Sequence, residues 1–151
     1  MKLSWTFGKA EKKDFHRINE LFVEMLQTIY HTEQVDGYSE NALNRFFDGC
    51  DEWICTAIDN NRIIAFLSIE VHHEDKEFVY LDDFSVTKQY RDHGIGTEMI
   101  HKAENYAKEI HISTILLHVE KSNTAAFRLY ERLGYCVYED QGSRYLMMKN
   151  I

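Results

Sequence analysis

Apolar side chains recur along this chain with two periods, and the periods divide it into elements. Between residues 14 and 30, Phe15, Ile18, Leu21, Phe22, Met25, Leu26 and Ile29 return every three or four positions, which predicts an amphipathic helix. A second helix is expected from Ser39, whose hydroxyl suits an N-cap, through Ala42, Leu43, Phe46 and Phe47 to a stop at Gly49. A long helix carries Ile95, Met99, Ala103, Ala107 and Ile110 on one face, and a shorter one covers residues 124–133. β-Branched and aromatic runs predict strands at residues 3–7, 53–58, 63–72, 78–86 and 114–119. Residues 135–138 and 144–149 read as a closing hairpin. Asp59-Asn60-Asn61 is a turn of residues that tolerate left-handed backbone, and residues 31–38 form a polar loop. The order β-α-α-β-β-β-α-β-α-β-β predicts an α/β architecture, a mixed sheet with helices on both faces.

Composition narrows the choice. A chain of 151 residues, 44% hydrophobic and 13% aromatic, is sized for a single domain over residues 1–151 with its own core. It has no internal repeat, low-complexity tract or proline. The three cysteines (Cys50, Cys55, Cys136) are odd in number and form no C-x-x-C pair, which points to a reducing cytoplasm rather than a disulfide framework or zinc site. A net charge of −8 disfavours nucleic acid as partner and leans toward a cationic one. No apolar run reaches membrane-spanning length, and no signal-peptide layout opens the chain. The His72-His73-Glu74-Asp75 cluster reads as a solvated hairpin tip, so no metal is expected.

The segment that carries chemistry is the strand, loop and helix from Phe84 to Thr97. Gly94 and Gly96 allow a ligand close to the backbone, and the free amides at the helix start suit a pyrophosphate. A Walker loop is absent, and the third glycine of a dinucleotide fingerprint is replaced by Met99. What remains is R-x-x-G-x-G, from Arg91 to Gly96. A second segment, His118 to Tyr135, contains Asn123 and the string Leu129-Tyr130-Glu131-Arg132-Leu133-Gly134-Tyr135.

With these two motifs in order, the chain resembles the GNAT acetyltransferase superfamily over nearly its whole length. The resemblance implies the acyl-CoA N-acyltransferase fold, with a splayed mixed sheet, and acetyl-CoA as co-substrate without a metal. It implies that Asp92, His93, Gly94, Ile95, Gly96 and Thr97, following Arg91, cradle the pyrophosphate. Phe84, Ser85 and Val86 would hold the pantetheine arm through their main chain, Asn123 would contact the coenzyme, and Tyr130 would sit beside its sulfur. The loop holding Tyr38 would form a substrate wall.

Acyl transfer to an amine needs a donor for the departing thiolate and an acceptor for the amine's proton. Tyr130 fits the first role. For the second, Tyr80-Leu81-Asp82-Asp83-Phe84 supplies two adjacent carboxylates, which strand alternation sends to opposite faces. The string is similar to Y-L-E-D-F in diamine acetyltransferases, with Asp82 in place of the glutamate that is the proposed base there. Asp82 is therefore the expected catalytic acid-base group, acting through water, and Asp83 and Tyr38 are expected at the acceptor. His72 and His118 are further proton carriers to consider. The acceptor implied is a primary amine on a small cationic molecule, polyamine-like or aminoglycoside-like. The alternatives are an amino-acid or peptide N-terminus, or a non-catalytic acyl-CoA sensor. A homodimer is the only protein assembly considered, with no nucleic acid and no membrane.

Overall fold

The computed structural model describes residues 2–151. Strands β1 (Thr6–Lys9), β2 (Trp53–Asp59), β3 (Arg62–His72), β4 (Phe78–Val86), β5 (Thr114–Glu120), β6 (Cys136–Asp140) and β7 (Arg144–Asn150) form one sheet in the order β1-β2-β3-β4-β5-β7-β6. The pairing of β4 with β5 is parallel and the rest is antiparallel. Helices α1 (Phe15–Tyr30) and α2 (Asn44–Phe47) lie on one face. Helices α3 (Ile95–Glu109) and α4 (Thr124–Arg132) lie on the other. Among the described residues no helix is long and apolar enough to cross a membrane.

Alternation along the strands builds two cores. Ile18 and Leu21 of α1 bury against Ile54 and Phe66. Their neighbours Cys55 and Leu67 point the opposite way, into a larger cluster with Met99, Ile100 and Ala103 of α3. The turn at Asn60 and Asn61 takes φ values of 52° and 60°, the left-handed geometry a tight hairpin requires.

Two expectations are corrected. The first strand is Thr6–Lys9 rather than residues 3–7. Trp5 instead turns its indole N–H onto Glu98 in the first turn of α3 (2.7 Å). The helix expected from Ser39 is a series of turns that becomes helical only at Asn44. Ser39 caps nothing with its side chain; its carbonyl accepts the Ala42 N–H (3.1 Å). The segment is held from elsewhere: the Tyr38 N–H bonds Asn19 Oδ1 (2.7 Å), while Leu43 and Phe46 are drawn into the α1-side core.

Two irregularities in β4 position the site. Only three residue pairs join it to β5, Val79–Leu81 opposite Ile115–Leu117, so the strands part beyond Leu81. Against β3, Leu67 faces Phe84 and Ile69 faces Leu81, so Ser68 alone opposes both Asp82 and Asp83. That is a β-bulge on β4.

Candidate active site

Beyond the parting of β4 and β5 lies a cavity of about 450 Å³. Phe84, Ser85 and Val86 line it from β4. Arg91, Asp92, Gly94, Ile95, Gly96 and Thr97 line it from the loop and the start of α3, and Asn123 and Tyr130 from α4. His93, expected with them, is exposed and does not line the cavity: the backbone reverses around it, between the left-handed Asp92 (φ 63°) and Gly94 (φ 86°). The opposite wall is Met25, Thr28 and Ile29 of α1, of which periodicity alone reads Met25 and Ile29 as core.

The two glycines serve different ends. Gly94 is the left-handed residue that starts α3, and a Cβ there would meet nothing within 4 Å. At Gly96 a Cβ would come within 3.0 Å of Phe84 Cζ and 3.6 Å of Leu129, so this glycine lets α3 approach β4. The residues of the first turn of α3, whose amides have no intrahelical acceptor, line the same cavity. Asn123 caps α4 by accepting the Ala126 N–H (3.3 Å) while also lining the cavity. Arg91 turns inward: Nε donates to the Val86 carbonyl (2.8 Å) and Nη2 to Glu24 (2.9 Å). Tyr130 is buried at the cavity wall, and burial, with a smaller push from nearby Tyr80, raises its hydroxyl pKa. It therefore keeps its proton at neutral pH.

On the α1 side of β4 the bulge overturns the expected alternation of Asp82 and Asp83. Leu81 and Phe84 both pack toward α3, so the two residues between them lean the other way. Asp83 accepts the Tyr38 hydroxyl, and Tyr38 stacks on Phe22 (centroids 3.8 Å apart, 15° from parallel). Burial and the charge of Glu70 raise the Asp83 pKa, against the Tyr38 hydrogen bond. Asp82 reaches solvent, but crowding by protein, then Asp83 and Glu70, pushes its pKa up to about 7. Glu70 also meets Arg45 (3.4 Å) and His72 Nε2 (3.1 Å). Three carboxylates thus share one small region with Arg45 as counter-charge.

At the mouth of the splay Tyr80 hydrogen-bonds His118 Nδ1 (2.5 Å), and His118 Nε2 meets Gln141 Oε1 (2.8 Å). Burial lowers the His118 pKa, aided by Arg144 and against Gln141, while burial and Asp82 push the Tyr80 hydroxyl up to about 12. At neutral pH the pair is uncharged, with Nδ1 accepting from Tyr80 and the Nε2 proton on Gln141. Sequence reasoning named His118, and Tyr80 only as the first residue of the Y-L-D-D-F string without a role; it did not find Gln141, Glu70 or Glu24. Glu70 alone leaves a trace in the sequence, as a single charge within the apolar run of β3.

A sequence profile of the acetyltransferase (GNAT) family matches residues 15–135. The chain is 31% identical over 104 residues to N-alpha-acetyltransferase 30 of Schizosaccharomyces pombe, covering 68% of this chain and 69% of that one. It is 26% identical over 140 residues to streptothricin acetyltransferase A of Bacillus subtilis, covering 83% and 80%. Its fold is similar to that of the PaiA N-acetyltransferase from Thermoplasma acidophilum, solved in complex with coenzyme A (TM-score 0.82, 19% identity, 99% of this chain and 100% of that one). The chain belongs to the acetyltransferase (GNAT) family and is an acetyl-CoA-dependent N-acetyltransferase.

Proposed function

We propose that the acceptor is a small amine carrying more than one positive charge, and that its ammonium groups lodge beside Asp82, Asp83 and Glu70. The observation that carries this reading is the bulge at Asp82 and Asp83, which turns two successive carboxylates to one side, next to a third. Arg45, half-exposed, pairs more closely with Glu52 (2.7 Å) than with Glu70 (3.4 Å), so Asp82, Asp83 and Glu70 keep an excess of negative charge that a dication complements.

The residues divide the chemistry. Acetyl-CoA lies along Phe84 to Val86 with its phosphates on the amides of Asp92 to Thr97. Asp82, with its pKa near 7, holds the attacking amine through water and takes its proton. As the amine nitrogen bonds to the acetyl carbon and the carbon–sulfur bond breaks, Tyr130 donates its proton to the thiolate. The second proton shed by the nitrogen passes through water to restore the Tyr130 hydroxyl, and Asp82 returns its own proton to solvent. The products are the acetamide and coenzyme A.

A second reading is a peptide α-amine, favoured by the relative N-alpha-acetyltransferase 30 and by the Tyr80–His118 pair. An α-amine, with a pKa of about 7.7–8.0, is far less basic than a lysine-like amine at about 10.4, so Tyr80, passing its own proton to neutral His118 as it takes the amine's, suffices to deprotonate it. Coenzyme A release measured over a panel of diamines, matched monoamines and short peptides separates the two. Higher kcat/KM on diamines than on monoamines of equal length supports the first reading. Turnover confined to peptides overturns it.

A further inference from the structure

The loop between β4 and α3 contains two residues at positive φ, Asp92 and Gly94, and its fixed shape comes from another element. Glu24 projects from α1 and accepts three hydrogen bonds from it. Thr87 Oγ donates to Oε1 (2.8 Å), the Lys88 N–H to Oε2 (3.1 Å), and Arg91 Nη2 to Oε2 (2.9 Å). Arg91 in turn donates Nε to the Val86 carbonyl, closing the end of β4 onto the loop. The guanidinium of the glycine motif thus spends its fork on protein partners. The next residue of α1, Met25, lines the cavity, as does Thr28 one turn on, and α1 is bolted to β4 again where Ser85 Oγ donates to the Leu21 carbonyl (2.9 Å).

We infer that Glu24 is a positioning residue for acetyl-CoA. It touches neither substrate. By neutralising Arg91 and ordering the Lys88–Tyr90 turn, it holds the loop amides in the arrangement that receives the pyrophosphate, so binding does not have to order the loop. The inference rests on the placement of the coenzyme proposed above. It also assigns Arg91 a task of its own, holding the loop to α1.

Isothermal titration with coenzyme A itself tests this on Glu24→Gln, with Glu20→Gln as control, since Glu20 meets Arg17 on the surface of the same helix. Glu24→Gln should weaken the Kd for coenzyme A about tenfold, as loss of a charge-assisted contact does. In steady state the loss should fall mainly on the KM for acetyl-CoA rather than on kcat. A double-mutant cycle with Arg91→Gln should be non-additive in Kd. A lowered Tm with unchanged Kd would make Glu24 a mere structural tie and overturn the inference. Should Glu24→Gln not fold, Thr87→Val removes one of the three contacts: a smaller loss of affinity supports the inference, and no loss overturns it. The underlying placement fails separately, if Gly96→Val still binds coenzyme A as tightly as the wild type.

Discussion

Phe22 and Tyr38 lie face to face, and the stack delivers the Tyr38 hydroxyl onto Asp83. Tyr38→Phe keeps the stack and removes the donor. The pKa of Asp83, already raised by burial, should rise further, because the Tyr38 hydrogen bond is what lowers it. A carboxyl that ionises less readily holds a cation less well, so the KM for a cationic amine should increase by several-fold to about tenfold. The difference from wild type should narrow as pH rises, because higher pH restores the ionised carboxylate. Steady-state kinetics across a pH series read both effects.

Asp82 gives the enzyme a pH dependence with a definite sign. A carboxyl raised to about 7 favours the protonated form in the folded state. Its contribution to stability is full below the usual carboxylate pKa of about 4 and is lost as pH climbs to about 7. Asp82→Asn should therefore raise Tm relative to wild type by an amount that grows between pH 5 and 7 and then levels off. On the role proposed for Asp82, the same substitution should lower kcat/KM on the best amine, and the wild-type kcat/KM should rise through pH 7 as Asp82 ionises. A level Tm difference across that range would mean that Asp82 is ionised throughout.

Tyr130 is buried at the cavity wall with its proton secure. Tyr130→Phe should keep the packing and the affinity for coenzyme A while lowering kcat by about 10²–10⁴-fold. Single-turnover measurements, which isolate chemistry from product release, are the suitable readout.

The two glycines of the loop should fail in different ways. At Gly94 only the backbone objects, so Gly94→Ala should cost about 1–2 kcal/mol. In a chain of this size that is roughly 2–4 °C of Tm for each kcal/mol. Gly96→Ala meets the Phe84 ring at 3.0 Å, so the ring, which lines the cavity, must give way by a few tenths of an ångström. It should weaken coenzyme binding out of proportion to any change in Tm. Thermal melts and titration of both variants separate strain from displacement.

How much of this was legible in the sequence depended on range. β4 appears at the expected residues 78–86, and β2, β3, α3 and α4 within a residue or two, because each is written in a local period. The glycine loop was legible for the same reason. The bulge was not: nothing in Asp82-Asp83 announces that one residue of β3 will face two of β4, and alternation misassigned their faces. Tyr80 meets His118 across 38 positions, and Glu24 meets the loop across more than 60. Such partners depend on which elements become neighbours, so a pattern read within one element cannot supply them. Ser39 failed differently. Its hydroxyl is a competent cap, but Tyr38 is fixed to α1 first and the chain leaves it in turns.

The three residue pairs between β4 and β5 also bear on how the molecule moves. Among the described residues they are the only ladder between a four-stranded unit, β1 to β4, and a three-stranded unit of β5, β7 and β6. Bending stiffness across that seam rests on three rungs and on α3, which packs against strands of both units. Slow breathing of the sheet should therefore concentrate there, with the two units rocking as near-rigid halves about Val79–Leu81. A ligand seated in the opening would act as a wedge and damp that rocking, so binding would register in the amide exchange of β5 and β7, strands outside the glycine loop.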